Sequence, residues 1–393
     1  NHGLLHSGAR YAVTDQESAT ECIKENMILK KIARHCVDDT SGLFITLPED
    51  DLAYQDTFVK ACLAAGINAE VIDPEEAKRM EPSVNPSLIG AVKVPDGSVD
   101  PFRLCASNVF DAKIHGAKVL VYSEVIEFIK EQDTIKGVKV LDHHTGIVTD
   151  YYAPVTVNAG GIWGHHIAQM AGANISMFPA KGALLIFAHR VNSVVINRCR
   201  KPANADILVP GDTVCVIGTT STRVPYEECD HLKVTPDEVD LLLTEGAKLA
   251  PCLAETRVLR AYAGVRPLVS ADNDPSGRNI SRGIVCLDHE TRDGIKGFIS
   301  ITGGKLMTYR LMGEMAADAV CKKLGRDAKC VTADTPLPGS EPGGIEEISK
   351  KIWEVPTMVQ KASVGRFGTQ AANLDFDGDV KGSLVCECEE VSV

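Results

Sequence analysis

The chain has 393 residues, 44% of them hydrophobic and 24% charged, with a formal net charge of −12. That length exceeds one ordinary hydrophobic core, so a globular chain with two domains is expected. The acidic balance argues against a nucleic-acid protein, because phosphate neutralisation needs a basic face, although a local basic pocket for a small anion stays open.

No apolar run approaches the roughly 20 residues that cross a bilayer, and Asn1 to Arg10 carry no charged-then-apolar signal pattern. Membrane association is therefore expected only through a partner or a surface contact. Of the 13 cysteines, those between Cys22 and Cys330 are scattered singly, without the spacing of a disulfide framework. They read as reduced, cytosolic core filler. Cys386 and Cys388 form a close pair almost at the last residue.

In chain order, the opening Asn1-His2-Gly3-Leu4-Leu5-His6-Ser7-Gly8 is glycine-interrupted and reads as the cut end of a longer chain. A helix is expected from Thr14, with Thr14 and Glu17 as a capping box, running to about Asp38-Asp39. Gly42 to Leu47 has strand character, and Asp56 to Ala65 reads as a helix stopped by Gly66. Asp100 followed by Pro101 predicts a capped helix to about His115. Four short strands are expected next, over Lys118 to Tyr122, Val125 to Lys130, Gly137 to Leu141 and Ile147 to Tyr152.

The run Pro154 to Asn158 leads through Ala159-Gly160-Gly161 into a helix containing Trp163, which is half of a βαβ unit. From Ala180 to Arg266, strand-like runs (Ala183 to Phe187, Val214 to Ile217) and an acidic helix from Thr235 to Leu249 carry no phosphate-type glycine turn, so this segment reads as a substrate domain. Phe298 to Thr302 reads as a strand and Leu306 to Leu324 as a helix closed by Gly325. A Pro/Gly-rich linker and a poorly patterned tail follow Pro336.

No GxGxxG follows a first strand, so the Ala159-Gly160-Gly161 turn alone is weak support for a dinucleotide fold. Stronger is Ile299-Ser300-Ile301-Thr302-Gly303-Gly304-Lys305-Leu306-Met307-Thr308-Tyr309-Arg310. Two glycines at a strand end let the backbone approach a ligand, and a following helix N-terminus with Lys305 beside it suits the negative charge of a reduced flavin. A plain Gly-Gly turn with a surface lysine is the equal alternative. Arg10 and Arg266 sit among small residues that let a guanidinium reach inward, and two forks converging on one pocket would suit a phosphate. Taken singly, each is better read as a surface ion pair, and His6 as a core or cap histidine rather than a base.

Five segments carry a resemblance when read in order: Leu5-His6-Ser7-Gly8-Ala9-Arg10-Tyr11, Val157-Asn158-Ala159-Gly160-Gly161-Ile162-Trp163, Ile217-Gly218-Thr219-Thr220, Gly264-Val265-Arg266-Pro267 and Gly303-Gly304-Lys305-Leu306-Met307-Thr308-Tyr309-Arg310. The whole chain, with Leu43 to Asp51 and Lys93 to Arg103, resembles the large subunit of the anaerobic, quinone-linked FAD-dependent glycerol-3-phosphate dehydrogenases. The resemblance implies an α/β (α+β) fold of the D-amino-acid-oxidase type. Its Rossmann-type cofactor domain would span 1–40, 88–165 and 280–335, with the first βαβ unit upstream of Asn1. A mixed-sheet substrate domain would span 41–87 and 166–279, with a linker and extension over 336–385.

Carried over by position, Arg10 and Arg266 match phosphate-contacting arginines, and Tyr11 and Lys305 match the substrate pocket. Asn1, Gly3 and Leu4 match a loop lying against the flavin, and Val125 matches the adenine-side strand. Ala159 and Trp163 match the pyrophosphate-side turn, and Gly303, Gly304 and Leu306 the loop at the flavin ring. Aerobic relatives have a histidine in a Lys-Gly-small-His pattern where this chain runs Lys181-Gly182-Ala183-Leu184, which leaves His6 and Lys305 as the catalytic candidates for the proton.

Cys386-Glu387-Cys388 resembles the opening of a bacterioferritin-associated-ferredoxin-like [2Fe–2S] domain over 386–393. A cluster needs four thiolates, so no [2Fe–2S] centre is expected in this fragment. The implied reaction is oxidation of glycerol 3-phosphate to dihydroxyacetone phosphate on FAD. Electrons would leave through iron–sulfur and membrane-anchor partner proteins to quinone, at the cytoplasmic face of the membrane. An amine or amino-acid oxidase of the same superfamily, or a non-catalytic scaffold, is the alternative.

Overall fold

The computed structural model describes residues 2–269, 283–374, 384–386 and 391–392, the last two stretches by their backbone alone. The expected Asn1 and Cys388 contacts, and the side chain of Cys386, lie outside the described residues.

The largest sheet has nine strands, and it carries most of the residues that matter below. Met177–Phe187 is its long central strand, paired antiparallel with Val258–Val269 on one side and with Cys215–Gly218 on the other. Ile207–Pro210, Val195–Arg198, Gly42–Thr46, Gly90–Val94 and Glu70–Ile72 continue the sheet. One of these pairings, Val195–Arg198 with Gly42–Thr46, is parallel, so the sheet is mixed. The strand 90–94, which the sequence division puts in 88–165, is hydrogen-bonded here. One face buries Leu185, Phe187, Ile217 and Leu208 against Leu242 and Leu249 of the helix Pro236–Leu249.

Four smaller sheets are also described, one of them the two-stranded pair Leu384–Cys386 with Val391–Ser392. Leu4–Leu5, Gly97–Val99 and Val37–Asp38 form another. Thr156–Asn158 runs parallel to Phe298–Gly303, which pairs antiparallel with Ile284–Asp288. Ser123–Glu131, Thr134–Asp142 and Val148–Tyr152 make an antiparallel meander. The helix Gln16–Ile32 packs Cys22, Leu29 and Ile32 on Leu5, Val99 and Met307, so it ties the chain's opening to the glycine turn near Lys305.

Several sequence expectations change in physical detail. The first helix is capped by Asp15, whose carboxylate accepts from Ser18 N at 3.1 Å, while the Thr14 hydroxyl donates to Tyr11 O instead. An aspartate one position nearer the helix wins the cap. The helix ends at Ile32, and a 3₁₀ turn over Arg34–Cys36 follows. Lys118 to Tyr122 is not a strand: its apolar residues are exposed, and no described strand lies alongside. β-prone residues form a strand only where a partner edge exists. The tail holds two helices, Ile345–Ile352 and Met358–Phe367, the second with a Thr357/Gln360 capping box.

Candidate functional site

A cavity of about 480 Å³ opens where the chain's opening segment, the strand pair 177–187/258–269 and the Gly303-Gly304 turn meet. His6, Arg10, Tyr11, Arg266, Lys305, Leu4, Gly303, Gly304 and Leu306 all line it. Residues from opposite ends of the described chain are thus neighbours around one space.

The opening segment is shaped by backbone constraints. After Leu5 the chain turns at Gly8, which has φ 94° and lies so close to the helix 16–32 that a Cβ would sit 2.4 Å from Ala19 O. Only glycine fits there. The turn delivers the 3₁₀ segment Ala9–Tyr11, which points Arg10 and Tyr11 at the cavity. His6 is buried between His2 and Tyr11, with ring centroids at 5.6 and 5.4 Å. Behind it, Ser7 N donates to the fully buried Asp96 at 2.7 Å, and burial pushes that carboxyl above its ordinary range.

Arg10 donates to Ala203 O at 3.0 Å and to Asp206 at 3.2 Å. Asp206 is buried and also accepts from Arg200 at 2.6 Å, so one carboxylate is shared between two guanidinium groups, and Arg200 pairs in turn with Glu245 at 3.0 Å. Arg266 comes from the register Ala180↔Arg266 of the central strand pair. Its guanidinium lies flat over Gly182, where a Cβ would meet Nη2 at 2.5 Å. It donates to Thr219 Oγ1 at 2.5 Å, Thr220 O at 3.2 Å, and Ala180 O and Lys181 O at 3.4 Å each.

On the far wall, Gly303 and Gly304 have φ 79° and 66°. A Cβ at Gly303 would come within 2.4 Å of Gly283 O, and one at Gly304 within 2.8 Å of Met312 Sδ. This bare turn leads to Lys305, whose Nζ is buried without a hydrogen bond of normal geometry among the described residues. Its neighbours are the Tyr11 ring, 4.7 Å from Nζ to the centroid, and Cys22. Burial pushes the Cys22 thiol up to about 11, against the pull of the Lys305 charge.

The remaining expected residues sit elsewhere. Gly3 lines a second cavity of about 380 Å³, and His2 lines both. Val125 is half-buried in the meander, Ala159 is exposed, and Trp163 is exposed with its Nε1 donating to Asp230 at 2.8 Å. None of these three lines the large cavity.

Sequence reading did not single out Asn158. Its amide accepts from Gly160 N, donates to Gly164 O at 2.8 Å and to Ser300 Oγ at 3.2 Å, and so holds the Ala159-Gly160-Gly161 turn. Ser300 continues to His289 Nε2 at 2.8 Å and on to Asp293 at 2.5 Å. Thr219, Gly182 and Leu184 also line the large cavity, and Leu184 puts an apolar wall at the position where the aerobic pattern has histidine. The Ile217-Gly218-Thr219-Thr220 segment was the available signal for Thr219.

An oxidoreductase flavin fits this arrangement on the structure's own terms. A side-chain-free turn gives close backbone approach, and a buried ammonium with no hydrogen bond of normal geometry among the described residues offers charge to an electron-rich ring or to a developing oxyanion. Among the described residues no group of three His, Cys, Asp or Glu side chains is placed to hold a metal ion, and no helix is long and apolar enough to cross a membrane.

Residues 1–310 match the family described as FAD dependent oxidoreductase. The chain is 63% identical over 392 residues to an anaerobic glycerol-3-phosphate dehydrogenase subunit of Haemophilus influenzae, covering 100% of this chain and 69% of that relative. It is 62% identical to the subunit of the same name from Escherichia coli, covering 72% of that protein. Among solved structures, the glycerol-3-phosphate dehydrogenase of Bacillus halodurans complexed with FAD superposes with a TM-score of 0.66 at 21% identity, over 94% of this chain and 68% of that one. At that identity the likeness speaks for the fold.

Proposed function

The chain belongs to the FAD-dependent oxidoreductases of the D-amino-acid-oxidase type, in the group of anaerobic glycerol-3-phosphate dehydrogenases, and from that premise we propose that it oxidises sn-glycerol 3-phosphate to dihydroxyacetone phosphate in the 480 Å³ cavity. FAD supplies the acceptor for the hydride that leaves C2. Gly303, Gly304 and Leu306, with Leu4 opposite, are the cavity residues that would hold its ring side. Asn158 would keep the Ala159-Gly160-Gly161 turn in shape on its pyrophosphate side.

The chain's own residues divide the substrate between them. Arg266 and Arg10 supply charge-assisted donors for the phosphate, which suits an anionic substrate in an acidic protein. His6 faces the same space from the opening segment, where it can take the C2 hydroxyl proton as it leaves, and the Lys305 ammonium on the turn can donate to the oxygen left behind. We further infer that the electrons pass through iron–sulfur and membrane-anchor partner proteins to quinone.

The observation that carries this reading is the convergence of Arg266, Arg10 and the buried Lys305 ammonium on one cavity beside a bare glycine turn. Arg266→Ala in the full-length enzyme tests it. The expected loss is about 2–3 kcal/mol in kcat/KM for glycerol 3-phosphate, because a charge-assisted fork is removed. A loss of less than about twofold in an enzyme with full flavin content would transfer the reading to a carboxylate-type substrate of the amino-acid oxidases.

A further inference from the structure

The acceptors that hold Arg266 are themselves held by a single carboxylate one layer further out. Two of them are the backbone carbonyls of Lys181 and Thr220. The side chains of those same two residues converge on Glu238. Lys181 Nζ donates to Glu238 Oε2 at 2.8 Å, and Thr220 Oγ1 donates to Glu238 Oε1 at 3.0 Å. The Thr220 hydroxyl also accepts from Ala183 N at 2.9 Å, which locks the segment 219–220 onto the strand 177–187. Lys181 donates a second time, to Lys233 O at 2.9 Å.

Lys181 and Thr220 are 8% and 2% exposed, so these bonds are made away from water, where their geometry is stiff. Glu238 cannot easily move either. It is the third residue of the helix Pro236–Leu249, and it closes the capping box with Thr235. A capping box needs one carboxylate oxygen at the N-cap N–H, and Oε2 meets that requirement at 3.0 Å from Thr235 N. The bond from Thr220 to Oε1 is not part of the cap. It links the rigid helix end to the carbonyls that accept from Arg266.

We propose that Glu238, acting through Lys181 and Thr220, is a positioning residue that sets the plane of the Arg266 guanidinium for the substrate phosphate. This rests on the reading that Arg266 meets that phosphate. A bidentate fork is productive over a narrow range of orientations, and the structure fixes this one by tying two of its backbone acceptors to the same carboxylate.

The test uses full-length enzyme carrying FAD. The Kd of the oxidised protein for dihydroxyacetone phosphate is measured by calorimetry, with KM and kcat for glycerol 3-phosphate alongside. Thr220→Val, which keeps the shape and removes the hydroxyl, should weaken Kd and raise KM about tenfold while kcat stays within about threefold. Thr220→Ser should restore both to within about twofold. In an Arg266→Ala background Thr220→Val should add nothing further. Should Thr220→Val lose its fold or flavin, Glu238→Gln is measured instead, with the same weakening expected.

An unchanged Kd in a flavin-loaded variant, or an equal further loss without Arg266, would overturn the positioning role. If Arg266→Ala alone leaves Kd unchanged, the phosphate reading of the cavity fails first, and that outcome is separate from a failure confined to Thr220→Val and Glu238→Gln.

Discussion

Arg266 and Lys305 line the same cavity, but the strand pair around Arg266 surrounds its guanidinium with oxygen acceptors, whereas the turn before Lys305 leaves a buried ammonium with no hydrogen bond of normal geometry among the described residues. The first group is prepared in advance: its orientation is fixed before a ligand arrives, so its contribution belongs to binding. The second carries an unmet desolvation cost that a ligand oxygen relieves, and most strongly when that oxygen gains negative charge. Two cations on one wall and its opposite are thus suited to different stages of one reaction.

The largest effect expected from breaking this contrast is at the unsatisfied cation. Lys305→Met should lower kcat by about 10²–10³-fold, the usual cost of one donor aimed at developing charge. It should also raise the melting temperature of the ligand-free protein, because a buried charge that has no hydrogen bond of normal geometry among the described residues is removed. A variant that loses both turnover and stability would mean that Lys305 is satisfied in the free enzyme.

Arg266→Ala comes next, at about 30- to 150-fold in kcat/KM for glycerol 3-phosphate. Activity toward glycerol, which has no phosphate, should be very low to begin with and should change several times less. Arg266→Lys should recover part of the loss, since an ammonium keeps the charge and loses the planar fork. Gly182→Ala sharpens the comparison from the side of geometry. The new methyl would sit 2.5 Å from Nη2 and 3.0 Å from Cζ, so the guanidinium must leave its acceptors. KM should rise about tenfold with kcat little changed, whereas an equal fall in kcat would put Gly182 near the reacting carbon.

The smallest effect is on stability. Burial pushes the Glu238 carboxyl up, but the bonds from Lys181, Thr235 and Thr220 outweigh it and hold the group below the usual carboxylate range. A lowered folded-state pKa adds stability above the ordinary Glu value of 4.5 and loses it as pH falls through the folded value. Denaturant titrations should therefore find Glu238→Gln less stable than wild type by about 1 kcal/mol near pH 7, with the gap closing in the acid range. A gap that is constant with pH would remove the ionised carboxylate from the account.

Much of this was readable in the sequence, for a physical reason. The glycine pair before Lys305, the Gly8 turn before Arg10 and the small residues around Arg266 are local constraints, and local constraints leave local signatures. The strand and helix patterns over 42–46, 54–64, 101–114 and 236–249 were legible through alternation, caps and glycine stops.

What stayed hidden depends on partners far apart. Gly182 matters because the strand register sets Ala180 opposite Arg266, and nothing near residue 182 announces that pairing. The bonds from Lys181 and Thr220 to Glu238 span 57 and 18 positions. The chain Asp293–His289–Ser300–Asn158, buried from His289 to Asn158, joins two strands 142 residues apart. Single residues with ordinary surface composition, such as Glu238, look like helix caps until the third partner is in place.

The most direct measurement of the central claim is a crystal structure of the oxidised, FAD-loaded enzyme with dihydroxyacetone phosphate. The account predicts phosphate oxygens within about 3 Å of the Arg266 guanidinium nitrogens, and the carbonyl oxygen within hydrogen-bond distance of Lys305 Nζ or His6. A phosphate bound against Lys305 with Arg266 left on its strand acceptors alone, or a ligand seated outside the 480 Å³ cavity, would contradict it.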